Sequence, residues 1–204
     1  MEAEEERVSR RWLDLIGALI GALLLALLVQ WVLVRPYAIP SASMEPTLTE
    51  GQRVFVDRLS DRFADPKRGQ IVVFHPPAGA ERPGPSDAEC GVPRPAGRIC
   101  PSATPREAKA TYIKRVVGLP GDRVELRNGH VIRNGVPVPE PYARQCAAAI
   151  CTLAPYTVPS GSYFLLGDNR GDSSDSRSWG SVPRRYVIGR AFATYWPPSR
   201  IGGL

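Results

Sequence analysis

Histidine is almost absent from this chain of 204 residues: there are two, His75 and His130. Neither sits among cysteines or paired carboxylates at metal-ligand spacing, so no metal centre is expected. A reactive serine would find few imidazoles to serve as its base. His75 lies in "FHPP" at the start of a loop and His130 beside a turn, so both read as surface residues. The chain also lacks a basic cluster. Its net charge is +6, but the arginines and lysines are scattered, which argues against a nucleic-acid partner and fits a mild attraction to anionic lipid. Good helix context is scarce after the N-terminus, where 21 prolines and 19 glycines punctuate the sequence and favour strands and turns.

One long apolar run is present. Residues 15–34 read LIGALIGALLLALLVQWVLV, with Gln30 as the one polar interruption. Twenty helical residues span about 30 Å, the thickness of a bilayer core. Trp12 and Trp31 lie near its ends, where indole favours the interface. Arg7, Arg10 and Arg11 precede it and Arg35 alone follows closely, which orients residues 1–14 to the cytoplasm and the rest outside. The run is too long for the apolar part of a typical signal peptide, so an uncleaved anchor is favoured, although "SAS" at 41–43 has the form of a cleavage site. No second apolar span follows.

Four cysteines, Cys90, Cys100, Cys146 and Cys151, all fall on the outer side. Outside the cytoplasm an even count suggests disulfides, and local pairing of Cys90 with Cys100 and Cys146 with Cys151 is the simplest of three connectivities.

The outer part reads as mainly β, an antiparallel sheet domain. "RVFVDRL", "GQIVVFHPP", "TYIKRVVGL", "SYFLLGD" and "YVIGRAFATYW" are strand signals. Asn128-Gly129 and Asn134-Gly135 are hairpin turn pairs. Between about 77 and 109 the chain becomes proline-rich and aperiodic, an inserted loop. The expected organisation is a core from 35–126 and 160–204 with a smaller hairpin lobe at 127–159.

The stretch "IPSASMEPTL" (39–48) places two serines just beyond the membrane. A nucleophilic serine needs a base and an oxyanion site. A lysine can be that base if it is neutral, yet a free lysine titrates roughly three units above neutrality. Burial lowers that value. Lys114 sits on a strand among Tyr112, Ile113, Val116 and Val117, with Arg115 on the opposite face. A lysine merely snorkelling from that strand is the competing reading. Lys67 and Lys109 lie in polar surroundings.

Taken together, these stretches resemble the type I signal peptidases. "SASMEPTL" resembles the family's nucleophile motif, "YIKRVVGLPGD" its lysine motif and "GDNRGDSSDSRSWG" its third hallmark; "RGQIVVF" and "GRAFATYWP" are similar to two further boxes, in the same order. The resemblance runs from the apolar segment to "RIG", leaving out the proline-rich insert. It implies a Ser–Lys endopeptidase, without metal or other cofactor, anchored by a single pass in the bacterial cytoplasmic membrane with its catalytic domain on the extracytoplasmic face. Its partners would be preprotein signal peptides cut after small-x-small sites, and membrane lipid; a monomer is expected.

By the same resemblance Ser43 is the nucleophile and Lys114 the base. Ser41 and the Ser43 N–H hold the oxyanion, and Ser173 hydrogen-bonds and orients the lysine. Asp175 with Arg177, and Asp168 with Arg115, form structural ion pairs. Ile39, Pro40, Met44, Leu48, Tyr112 and Ile113, with Tyr37 near the membrane, line the substrate pockets, although Met44 reads equally well as core. Two departures from the family pattern, Gly69-Gln70 and Gly171-Asp172-Ser173, leave these residues untouched; Asp172 adds a negative charge near Lys114. A self-cleaving repressor of the Ser–Lys kind is disfavoured because an apolar span stands where its DNA-binding segment would be. A non-catalytic envelope β-domain would not require Ser43, Lys114 and Ser173 together.

Overall fold

The structure, a computed structural model, describes residues 12, 15–25, 34–59, 64–80, 106–146 and 151–204. The chain divides into two units, Met1–Arg35 and Pro36–Leu204. In the first, residues 15–25 are helical. Among the described residues no helix is long and apolar enough to cross a membrane. The predicted span 15–34 is therefore described only over its first part; residues 26–33 lie outside the described residues, as do Arg7, Arg10 and Arg11. Its last residue is corrected: Val34 begins a strand.

The second unit is built of antiparallel strands in two sheets. The larger holds β1 (Val34–Ala38), β2 (Arg53–Asp57), β3 (Ile71–Phe74), β4 (Tyr112–Gly118), β9 (Ser162–Leu166), β10 (Val182–Pro183), β11 (Val187–Trp196) and β12 (Gly202–Gly203). Their order is β1-β2-β11-β3-β4-β9-β10, with β12 also on β11. The smaller sheet runs β7-β6-β5-β8, from β5 (Arg123–Arg127), β6 (His130–Arg133), β7 (Val136–Pro137) and β8 (Leu153–Thr157).

The sequence patterns account for these places. "IVVF" is apolar throughout because β3 is buried on both faces between β11 and β4. In β2 only Val54 and Val56 are buried, so that strand alternates. β11 spans ten residues and serves β3 along its first half, β2 along its second, and β12 at Ala193 and Thr194. Register shifts at Val187/Gly189, Ala191/Ala193 and Thr194/Trp196 bend it and curl the sheet. Both Asn-Gly pairs turn hairpins with positive φ at each residue, 51° and 82° at Asn128-Gly129, 53° and 83° at Asn134-Gly135.

Three apolar clusters form the interior. The first joins Val54, Val56, Ile71 and Val73 to Ile39, Met44 and Leu48 from the segment after β1. The second packs Trp179, Phe74 and Leu165 together, and the third joins Val117, Phe164 and Leu166 of the larger sheet to Val124, Leu126 and Val131 of the smaller. Each such side chain contributes about 1.5–3 kcal/mol by leaving water. The third cluster changes the expected lobe. The smaller sheet starts at Arg123 rather than 127, because Val124 and Leu126 of β5 face that shared core.

The insert also begins later than expected on paper. Residues 77–80 and 106–109 continue the β3–β4 hairpin through a bridge between Pro77 and Glu107, with Ala78 N–H donating to Arg106 and Ala108 N–H to Pro76. Residues 81–105, including Cys90 and Cys100, lie outside the described residues.

Candidate active site

Ser43 is carried on a 3-10 turn, Ala42–Met44, directly after the extended Ser41. The turn is anchored from below, where Met44 and Leu48 are fully buried and Leu48 N–H donates to the Met44 carbonyl at 2.9 Å. Ile39 N–H donates to Gln52 at 2.8 Å and Gly51 N–H to Ile39 at 2.9 Å, which ties the approach to the turn onto the neighbouring loop. Ser43 is thus held rigidly at the surface of the first core cluster, 7% exposed.

Lys114 projects from the middle of β4, opposite Val72 of β3. It is 4% exposed, and its Nζ donates to Ser43 Oγ at 2.6 Å. Burial pulls this lysine down to about 8; Arg177 adds to the lowering, while Asp175, Asp168 and Asp172 oppose it. Ser41 Oγ donates to Ser43 Oγ at 3.2 Å. Residues from two distant segments therefore converge on one hydroxyl.

Ser173 lies beside this pair but gives its hydroxyl elsewhere: Ser173 Oγ donates to Asp175 Oδ2 at 2.8 Å, not to Lys114. A carboxylate is the stronger acceptor. Asp175 is completely buried and also accepts from Gly167 N–H at 3.0 Å and from Arg177 Nε and Nη2 at 2.8 and 2.9 Å. Burial alone would raise Asp175, but Arg177 and these hydrogen bonds hold it below the usual carboxylate range. Asp175 also caps the short helix α1 (Ser176–Trp179) through Arg177 N–H. Arg115, on the other face of β4, grips Asp168 with two bonds of 2.8 and 2.6 Å, and Thr47 Oγ1 donates to the same carboxylate at 2.5 Å.

A cleft of about 320 Å³ opens beside the pair, with Pro40, Ser41 and Ser43 on one wall and Tyr112, Ile113, Lys114 and Asp172 on the other. Of the predicted pocket residues, Pro40, Tyr112 and Ile113 reach it. Ile39, Met44 and Leu48 do not line it: they are 2%, 0% and 0% exposed, spent on the core that supports the turn. Tyr37 packs half-buried against that same core. A larger concavity of about 850 Å³, lined by Arg58, His75, Glu107 and Arg184, holds neither Ser43 nor Lys114.

Several residues at the site were not singled out from sequence. Asn169 donates its backbone N–H to the Ser43 carbonyl and its Nδ2 to the Ala42 carbonyl. Gly167 passes directly against Ser173 and Ser43. Arg170, paired with the buried Glu140 at 2.7 Å, gives its carbonyl to Arg177. All but Glu140 belong to the "GDNR" run already quoted; what was missing was their reach across the fold. Cys146 and Cys151 are joined in a disulfide, and Arg177 Nη1 donates to Cys151 Sγ at 3.5 Å. His75 hydrogen-bonds with Ala110 at 3.0 Å and His130 is exposed.

Comparison with known proteins gives a consistent picture. A family model described as signal peptidase, peptidase S26, matches residues 12–196. A probable signal peptidase I-2 of Synechocystis sp. is 36% identical, the match covering 98% of this chain and 81% of the relative. A signal peptidase I of Leptolyngbya laminosa is 37% identical over 90% of this chain and 79% of its own length. A signal peptidase I of Bacillus amyloliquefaciens is 32% identical over 98% of both chains.

Proposed function

The chain belongs to the signal peptidase family, peptidase S26, and is a serine endopeptidase; from this premise we propose that it is a membrane-anchored enzyme that frees exported preproteins from their signal peptides with a Ser43–Lys114 dyad. The observation that carries the dyad is the buried 2.6 Å contact between Lys114 Nζ and Ser43 Oγ.

The chemistry follows from that contact. With the lysine near 8, roughly a tenth of the molecules hold it neutral at pH 7. Neutral Lys114 takes the proton of Ser43 as Oγ attacks the scissile carbonyl. The negative charge that builds on the carbonyl oxygen is met by the Ser43 N–H and the Ser41 hydroxyl, which stands 3.2 Å from the attacking oxygen. A donor of this kind is worth about 3 kcal/mol in the transition state. Lys114 then hands its proton to the departing amine, leaving the signal peptide as an ester on Ser43. In the second half Lys114 deprotonates water, which releases the peptide and restores the serine. Ser173 acts as a positioning residue, holding Asp175 and filling the space behind Ser43.

The substrate class is supported by the cleft. Its modest volume and the apolar walls of Pro40, Tyr112 and Ile113 suit small side chains in an extended peptide, as in an Ala-x-Ala site. The apolar segment that starts at Leu15 and ends before Val34 would anchor the enzyme in the bacterial cytoplasmic membrane, its N-terminus in the cytoplasm and the active site on the outer face, where a signal peptide leaves the bilayer.

The test uses the full chain in detergent with a preprotein bearing an Ala-x-Ala site, product mass identifying the bond cut. Wild type should cleave after the second alanine, and Ser43→Ala and Lys114→Met should be inactive. Failure of wild type to cleave, or cleavage by both variants at the wild-type rate, defeats the reading.

A further inference from the structure

Asn169 is 6% exposed and touches neither Lys114 nor the Ser43 hydroxyl. Its backbone N–H donates to the Ser43 carbonyl at 3.1 Å and its Nδ2 to the Ala42 carbonyl at 3.2 Å. Those carbonyls belong to the two peptide groups on either side of the Ser43 Cα, so one residue holds both.

The second bond has a chemical consequence. The Ala42 carbonyl and the Ser43 N–H are opposite ends of one rigid planar peptide group. Fixing the oxygen fixes the direction of the N–H. The same oxygen also accepts Glu45 N–H at 3.0 Å, the bond that closes the 3-10 turn. Two donors on one carbonyl draw electron density away from the amide nitrogen and make its N–H a stronger donor. Asn169 is itself tied down: Asp172 N–H donates to its carbonyl at 3.1 Å, while Arg144 N–H donates to Asp168 at 2.7 Å and Arg170 N–H to Arg144 at 3.0 Å on either side. The side chain therefore works from a fixed base, as a supporting residue must.

We infer that Asn169 is a positioning residue for the reaction: it sets and polarises the Ala42–Ser43 peptide so that the Ser43 N–H meets the developing oxyanion. The inference rests on Ser43 being the nucleophile. It separates the duties of two neighbours, since Ser41 acts on the oxyanion directly and Asn169 through the backbone. Asparagine is the suitable residue because an aspartate would bring a carboxylate oxygen against the Ala42 carbonyl.

The experiment compares Asn169→Leu, which keeps the branched shape but has no donor, and Asn169→Ser, which keeps polarity but falls short of Ala42, with wild type as full chains in detergent. Cleavage of the Ala-x-Ala preprotein is measured across pH. Affinity is measured for a peptide boronate, which forms a tetrahedral anionic adduct with an active serine, and for an uncleavable peptide of the same sequence. In both variants kcat should fall about 30-fold with KM within about twofold, somewhat less than for loss of a direct donor. The pH midpoint should stay where wild type has it. Boronate affinity should fall with kcat/KM, and affinity for the uncleavable peptide should not. Unchanged kcat, a moved pH midpoint, a loss carried by KM, or undiminished boronate binding would each overturn the inference. So would loss of folding in both variants, which would make Asn169 part of the frame alone. Ser43→Ala is read alongside: cleavage by that variant defeats the nucleophile reading itself, whereas an inactive Ser43→Ala beside a fully active Asn169→Leu defeats only the role of Asn169.

Discussion

Gly167 and Ser173 approach so closely that no side chain fits between them. A Cβ on Gly167 would run into Ser173 Oγ and would lie 2.5 Å from the Ser43 carbonyl oxygen. The third hallmark segment thus meets the Ser43 turn backbone to backbone, and the absence of a side chain is what allows it.

Gly167→Ala should therefore push the Ser43 turn away from Lys114. A loss of about 100-fold or more in kcat/KM is expected, with a destabilisation of about 1–3 kcal/mol typical of an overfilled core position. Steady-state kinetics and thermal unfolding of the same preparation read both. Wild-type activity in this variant would mean the turn can give way without consequence.

With neutral Lys114 as the proposed base, activity should rise as pH climbs toward the lysine's value. The kcat/KM profile should gain tenfold per pH unit well below pH 8 and bend to a plateau above about 8. A plateau already reached at pH 6 would count against Lys114 as the base.

The same burial weakens the folded state at neutral pH. Below pH 8 folded and unfolded chains both hold the proton, and the folded one bears a buried ammonium. Between 8 and 10.5 the unfolded chain keeps a proton that the folded one has released, so this group's contribution to stability rises with pH. Lys114→Met should accordingly be inactive yet more stable than wild type at pH 7, by roughly 3 kcal/mol. Denaturant titrations at several pH values should find that gain shrinking between 8 and 10.5.

Asp172 stands on the cleft wall and pushes the lysine up, as the weakest of its charged neighbours. Asp172→Asn should move the midpoint of the pH–rate profile slightly down, by about a few tenths of a unit for an exposed charge. Thermal stability should be unchanged, since its side chain is exposed. A shift in the upward direction would contradict the charge argument.

Local pattern revealed the strands and turns well. Alternation in "RVFVD", the unbroken "IVVF" and the two Asn-Gly pairs each express a rule that acts over a few residues. Membership of a sheet does not: "RVELR" alternates, and only its pairing with β6 and β8 assigns it to the smaller one. Met44 raised a similar ambiguity, and Ile39 and Leu48 were expected in the pockets, because an apolar residue beside Ser43 can face a substrate or support the turn. Burial decides it. Ser173 could be found in its motif, but its choice of Asp175 over the lysine depends on where a buried carboxylate comes to rest. Asn169 was hardest to read, since its amide acts on a residue 127 positions away.

The bridge between Pro77 and Glu107 makes the two ends of the proline-rich insert neighbours. Lys114 takes its register from the β3–β4 pairing on the near side of that bridge. The register of Lys114 is thereby set by paired strands, and lengthening a closed loop adds little entropic cost. The hairpin is a socket: residues 81–105 could be exchanged for a short turn, or for a folded reporter whose termini lie side by side, and the serine and lysine would still meet.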